Sequence, residues 1–182
     1  MIVLASQSST RASILDAFGV SFIQRVCDFD EDSIKTTNAS HFVYRVAQGK
    51  LQTYLQRYVL DIPVLVADTV VCADNKILRK AKDVDEAREI LRKQSGNSVS
   101  ILTCMIFKSV KFEMIDLSRT DYLFAPFDKN ELEEYLKGDD WKGKAGACMV
   151  EGFCRKYIKE TIGYESTAMG LCVEKLLPFL RP

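Results

Sequence analysis

The chain has 182 residues, 47% of them hydrophobic, enough for one large domain with a real core and too apolar for a disordered segment. Its 25 basic and 25 acidic residues cancel and are mixed along the sequence, which argues against a broad electrostatic footprint for nucleic acid. Six cysteines without a C-x-x-C pair read as reduced core residues rather than a zinc knuckle or a secreted disulfide framework, and the lack of any ~20-residue apolar run or signal-like start leads us to expect a cytoplasmic protein that does not enter a membrane.

Residues 2–5 read as a strand, Ser6-Gln7-Ser8-Ser9 as a polar turn, and 10–18 as a helix ended by Gly19. Residues 20–26 return as a short strand before the acidic loop Asp28-Phe29-Asp30-Glu31-Asp32. A long helix is expected over 38–60, with Val43, Val46, Ala47 and Tyr54 on one stripe and Lys50 lying along it. A buried strand over 64–72 meets a hairpin turn at 73–76 and returns through Ile77-Leu78. Asp85 is expected to cap a helix bearing Ala87, Ile90 and Leu91 and ending near Gly96. Strands follow at 99–107, 111–117 and 120–127, then a helix through Leu136 opened by the capping-box pair Asp128 and Glu131. Residues 138–146 form the loosest segment, and a last helix is expected over 167–177. Alternating strand and helix signals followed by a meander predict an α/β domain with a mixed sheet. No linker divides the chain, so residues 1–182 read as one domain, compatible with two lobes around a cleft.

Asp68 carries the strongest chemical signal. It sits in Val64-Leu65-Val66-Ala67-Asp68-Thr69-Val70-Val71-Cys72, where an ionised carboxylate must pair, bind a metal or shift its pKa. Glu31, in the acidic loop, is either solvated or the second acid of a Mg²⁺-type site completed by substrate phosphates and water. The hydroxyls of Ser6 and Ser8 with Arg11 in the next helical turn suit an anionic oxygen cluster, although serines also cap helices for purely structural reasons. Lys50 and Lys80 can neutralise a polyphosphate or simply reach solvent. The sole histidine, His41, has no nucleophile motif around it, which disfavours a Ser-His or Cys-His hydrolase.

In this order the blocks Leu4-Ala5-Ser6-Gln7-Ser8-Ser9-Thr10-Arg11, Asp28-Phe29-Asp30-Glu31, Val46-Ala47-Gln48-Gly49-Lys50, Ala67-Asp68-Thr69-Val70-Val71, Leu78-Arg79-Lys80-Ala81-Lys82-Asp83, Leu91 to Gly96, Lys144-Ala145-Gly146-Ala147, Glu151-Gly152 and Gly163 to Gly170-Leu171 resemble the Maf family of nucleoside triphosphate pyrophosphatases, first associated with septum formation. The resemblance spans nearly the whole chain. It implies an elongated mixed sheet flanked by helices around a central cleft, related to inosine triphosphate pyrophosphatases, and often a homodimer. It also implies a reaction: metal-assisted attack of water on the α-phosphorus of a nucleoside triphosphate, with Mg²⁺ or Mn²⁺ as cofactor. By resemblance Asp68 is the proton acceptor and a metal ligand, Glu31 a further acidic or metal-binding residue, and Lys50 and Lys80 catalytic cations. Ser6, Ser8, Thr10 and Arg11 would hold phosphates.

The chain departs from the family at Ser9 and Thr10, where Pro-Arg is usual. Thr69 resembles the branch acting on dTTP and UTP, whereas Glu151-Gly152-Phe153 resembles the branch acting on 7-methyl-GTP. A carboxylate at Glu151 suits the N1–H and N2–H₂ edge of guanine and a cationic methylated base. The competing class is a nucleotide-binding cell-division regulator with weak or no catalysis, which the missing arginine at Thr10 favours.

Overall fold

A computed structural model describes residues 1–74 and 76–180. Ile2–Leu4 (β1) is buried throughout and lies between Phe22–Gln24 (β2) and Val64–Ala73 (β3), parallel to both. Beyond β3 the sheet turns antiparallel through Ser98–Lys108 (β5), Glu113–Phe124 (β6) and Ile158–Ile162 (β7), giving the order β2-β1-β3-β5-β6-β7; Lys76–Leu78 (β4) pairs with β3 off this path. The helices are Ser9–Ala17 (α1), Ala39–Arg57 (α2), Val84–Gln94 (α3), Lys129–Lys137 (α4), Glu165–Ala168 (α5) and Val173–Leu176 (α6). The fold is thus the expected mixed α/β sheet flanked by helices.

Strand β3 organises the molecule because it is covered on both faces, which explains its nearly unbroken apolar run. Val64, Val66 and Val70 pack with Val43, Val46, Ala47 and Tyr54 of α2. Leu65 and Ala67 point the other way, to Ile14 and Leu15 of α1 and Val173 and Leu176 of α6. A third cluster joins Val71 and Ala73 to Leu91 of α3 and Leu132 of α4. One edge of β3 pairs with β5 from Val64 to Ala73. The other edge pairs with β1 at Val64 and Leu65 and with β4 from Val71 to Ala73, so the sheet forks over the intervening residues, which include Asp68 and Thr69.

Several expected boundaries change. The two strands expected at 111–117 and 120–127 are one strand, β6, paired with β5 straight through Thr103↔Ser118 and Leu102↔Arg119. The expected break rests on polar residues, yet Ser118 and Thr120 are the buried positions, while Ile115 and Leu117 are exposed. Strand β7 has no counterpart in the sequence pattern, its Glu160 and Thr161 giving little apolar alternation. The expected helix over 167–177 is split into α5 and α6 by Gly170, whose φ of 108° no helix accommodates. Helix α3 starts on Asp83, which accepts from the Glu86 N–H at 2.8 Å; Asp85 instead pairs with Arg88. The capping box is half formed: Asp128 accepts from the Asn130 and Glu131 amides, but the Glu131 carboxylate is held by Tyr157 and Lys156. Helix α2 ends at Arg57 rather than 60, and β2 covers only the middle of the expected 20–26 strand. Asn75 of the expected hairpin turn lies outside the described residues.

Gly49 couples α2 to the acidic loop. A Cβ there would run into the Phe29 ring, so the loop carrying Glu31 can lie against α2 only because the helix has a notch at that position. In an exposed helix Gly→Ala normally stabilises by about 0.5–1 kcal/mol. Here Gly49→Ala is expected to destabilise by about 1–3 kcal/mol, measured by urea denaturation, because overpacking outweighs propensity. An unchanged or raised midpoint would show that Phe29 is not seated on the helix.

Candidate active site

Because side chains alternate along a strand, Asp68 and Thr69 leave β3 on opposite faces, and each meets a cation. Asp68 faces α2, where Lys50 projects from the residue after the Gly49 notch. The Lys50 ammonium donates to Asp68 Oδ1 at 2.7 Å and to Glu31 Oε1 at 2.9 Å. Glu31 opens a short 3₁₀ turn, Glu31–Ser33, whose Asp30 accepts from the Asp32 N–H. Arg79 pins this turn by donating to Asp32 at 2.6 Å and to the Glu31 carbonyl at 3.2 Å, and it stacks 5.0 Å from the Phe42 ring. Lys80, the next residue, reaches Glu31 Oε2 at 3.5 Å. Lys50 is thus the direct partner of Asp68, while Lys80 acts on Glu31.

Asp68 is 4% exposed, and its Oδ2 is buried without a hydrogen-bond partner among the described residues. Burial pushes its carboxyl above the ordinary range, outweighing the neighbouring Lys50, and the charge of Glu31 adds to the rise. Glu31 moves the other way. Burial alone would raise it, but the charge and hydrogen bond of Lys50, with Lys80 behind them, hold it below the ordinary range. Two carboxylates sharing one lysine are therefore driven apart in acidity, a pattern found where proton transfer takes place.

Thr69 faces α1. Ser8 caps that helix by accepting from the Arg11 N–H, and Ser6 accepts from both the Ser8 N–H at 3.2 Å and Arg11 Nη1 at 3.0 Å. Arg11 is 9% exposed and donates as well to the Gly170 carbonyl at 2.8 Å and to Thr69 Oγ1 at 3.1 Å. All three partners are neutral, so burial lowers the guanidinium pKa while the charges of Asp68 and Glu31 act to raise it from a distance. A buried cation bound only to neutral acceptors is suited to an anion.

Both halves line one cleft of about 820 Å³. Ser6, Ser8, Thr10, Arg11, Glu31, Lys50, Asp68, Thr69, Lys80 and Glu151 all lie on its wall, so the fold brings every sequence-derived candidate together. Glu151 occupies another wall beside Lys144, 3.3 Å away. The 138–146 loop is tied down where Ala145 pairs with Lys80 and the Gly146 N–H donates to the Arg79 carbonyl. Near Glu151, Cys148 donates to Cys154 across 3.3 Å, and that bond together with burial pushes the Cys148 thiol well above its ordinary range.

Some contacts in and around the cleft have no signal in the sequence. Lys144 reaches Glu151 across a loop whose shape no local pattern reports. Thr103, 34 residues from Thr69, touches it at 2.8 Å, and Gly170 supplies a carbonyl from a segment expected to be helical. Strand register and a broken helix create these contacts. No spacing rule would have found them.

A family model described as Maf-like protein matches residues 1–182. A nucleoside triphosphate pyrophosphatase of a Nitratiruptor species is 56% identical over 178 residues, 97% of this chain and 96% of the relative. A protein of the same name from Helicobacter pylori is 41% identical over 180 residues, 99% of this chain and 95% of the relative. Another, from Campylobacter jejuni subsp. jejuni, is 37% identical over 183 residues, 99% of this chain and 100% of the relative.

Removing the shared lysine should have a pH-dependent cost. Lys50→Met takes away what lowers Glu31 and opposes the rise of Asp68, so both carboxyls move up in the folded state. A raised folded pKa contributes stability below the unfolded pKa and loses it as pH rises through the folded one. The deficit of Lys50→Met relative to wild type is therefore expected to be about 2–3 kcal/mol near neutral pH and to shrink steadily toward about pH 3, closing fully only once Glu31, which Lys50 holds low in wild type, is protonated as well. Urea denaturation at the two pH values measures it, and equal deficits would contradict the shared-lysine arrangement.

Proposed function

The chain belongs to the Maf-like protein family, and on that premise we propose that it is a nucleoside triphosphate pyrophosphatase whose cleft directs water to the α-phosphorus, releasing the nucleoside monophosphate and pyrophosphate. The observation that carries the chemical assignment is Asp68: a buried carboxylate with one oxygen on Lys50 and the other without a partner among the described residues, in the wall of a cleft lined by Arg11, Lys50 and Lys80.

In this reading Asp68 accepts the proton of the attacking water. Burial raises its pKa, which strengthens it as a base, while Lys50 opposes that rise and favours the ionised form that accepts the proton. Arg11, Lys80 and the Ser6 and Ser8 hydroxyls hold the phosphates and offset the charge that builds up on departing pyrophosphate, the main requirement of phosphoryl chemistry. The donor set fits a hard cation. Asp68 Oδ2 is buried and has no partner among the described residues, and Glu31 is the second acid; since Lys50 bridges the two, a cation there would take the place of part of that contact, with substrate oxygens and water completing its shell. Mg²⁺ or Mn²⁺ held by Asp68 and Glu31 would supply charge compensation and acidify bound water.

The geometry also bears on the base. Thr69 is engaged by Arg11 and Thr103, which supports a role at the phosphate end rather than in base selection. Glu151 then carries the base preference, accepting from a guanine edge in exchange for its contact with Lys144. We accordingly favour 7-methyl-GTP over dTTP and UTP. Among the described residues no helix is long and apolar enough to cross a membrane; the homodimer belongs to the proposal as what the family resemblance implies, and a cytoplasmic location as what the sequence leads us to expect.

Pyrophosphate release from dTTP, UTP, CTP and 7-methyl-GTP, assayed with Mg²⁺ and Mn²⁺, tests these assignments. Wild type should turn over 7-methyl-GTP faster than dTTP and require the metal. Asp68→Asn should lower kcat by about 10²–10⁴-fold while remaining folded, and Glu151→Gln should erode the base preference. Faster dTTP turnover would contradict the role of Glu151. Tight nucleotide binding by wild type without turnover would instead support the regulator.

A further inference from the structure

Thr103 is fully buried on β5 and lies outside every motif of the cleft, yet its hydroxyl sits at a junction. It donates to the Thr167 carbonyl at 2.7 Å and lies 2.8 Å from Thr69 Oγ1. The direction of each bond follows from what the partners can do. A carbonyl only accepts, so the Thr103 proton is committed to Thr167 and its oxygen is left to accept from Thr69. A guanidinium only donates, so Thr69 Oγ1 must receive Arg11 Nη2 at 3.1 Å while its own proton goes to Thr103. Arg11, Thr69, Thr103 and the Thr167 carbonyl form a one-way relay in which every hydroxyl donates once and accepts once.

The relay also closes on itself. Gly170, three residues beyond Thr167, accepts from Arg11 Nε at 2.8 Å, and a Cβ there would lie 3.3 Å from both Arg11 Nε and Thr69 Oγ1. Segment 167–170, whose last three residues line the cleft, is therefore held at one end by Thr103 and at the other by Arg11. Three of the five guanidinium N–H groups are used on Gly170, Ser6 and Thr69. The two that remain point wherever this frame turns them.

We propose that Thr103 is a positioning residue for phosphate binding: through Thr69 and the 167–170 segment it fixes the guanidinium of Arg11 so that its free N–H groups face the pyrophosphate moiety. Removing the Thr103 hydroxyl frees the Thr69 proton to turn and takes from the Thr167 carbonyl its side-chain donor, leaving it the backbone N–H of Gly170 at 3.1 Å. Arg11 keeps its charge and loses its aim. The inference rests on the pyrophosphatase reading of the cleft, so its test must separate the two.

Titration calorimetry with inorganic pyrophosphate, together with steady-state turnover of 7-methyl-GTP, is applied to wild type, Thr103→Val and Thr103→Ser. We expect Thr103→Val to weaken pyrophosphate binding and raise KM by about tenfold with kcat changed less, and Thr103→Ser, which keeps the hydroxyl, to restore both. A general packing defect would not be rescued by serine, which has the smaller side chain. If Thr103→Val does not fold, Thr103→Cys replaces it, with about threefold weaker binding than Thr103→Ser expected from the poorer thiol donor. Wild-type-like pyrophosphate binding in the variant that lacks the hydroxyl overturns the relay. Wild type that neither binds pyrophosphate nor turns over nucleotide overturns the functional reading instead.

Discussion

A carboxylate placed in the middle of a strand covered on both faces is the constraint on which the rest of this structure depends. Water cannot stabilise Asp68, so the fold must. The lysine that does so is itself only partly exposed, and it satisfies two acids at once. Replacing such an arrangement by apolar residues is often neutral or stabilising elsewhere, so stability alone is a poor reason to keep it. A site that needs one raised and one lowered carboxyl within reach of the same cation is a better one.

Much of the architecture serves that placement. The sheet forks along one edge of β3 where β1 has ended and β4 has not begun, and Asp68 lies within the fork. Helix α2 packs four apolar side chains on the same face of β3 and then offers Lys50, while the Gly49 notch admits Phe29 and with it the Glu31 turn. Strand periodicity delivers Thr69 to the opposite face, where the α1 N-terminus supplies Arg11. The proposed acid chemistry and phosphate binding would thus come from adjacent residues of one strand, with no flexible segment between them.

The parts legible in the sequence are those with a local physical signature. An acid within a β-branched run exposes Asp68, a lysine on an apolar stripe exposes Lys50, and hydroxyls ahead of a helix expose Ser6, Ser8 and Arg11. The family resemblance adds Glu31, Lys80 and Glu151, whose surroundings are ordinary taken singly. What stays hidden is created by pairing at a distance. Thr103 looks like any strand threonine until register sets it against Thr69, and β6 looks broken because its buried face carries Ser118 and Thr120. Gly170 ends a helix that periodicity alone would continue.

In the proposed reaction the cleft aims water, deprotonated by Asp68, at the α-phosphorus. Hydrolysis of 7-methyl-GTP in H₂¹⁸O, with both products analysed by mass spectrometry, tests it most directly. The label is expected in the nucleoside monophosphate and not in pyrophosphate. Label in pyrophosphate, or release of orthophosphate in place of pyrophosphate, would contradict it.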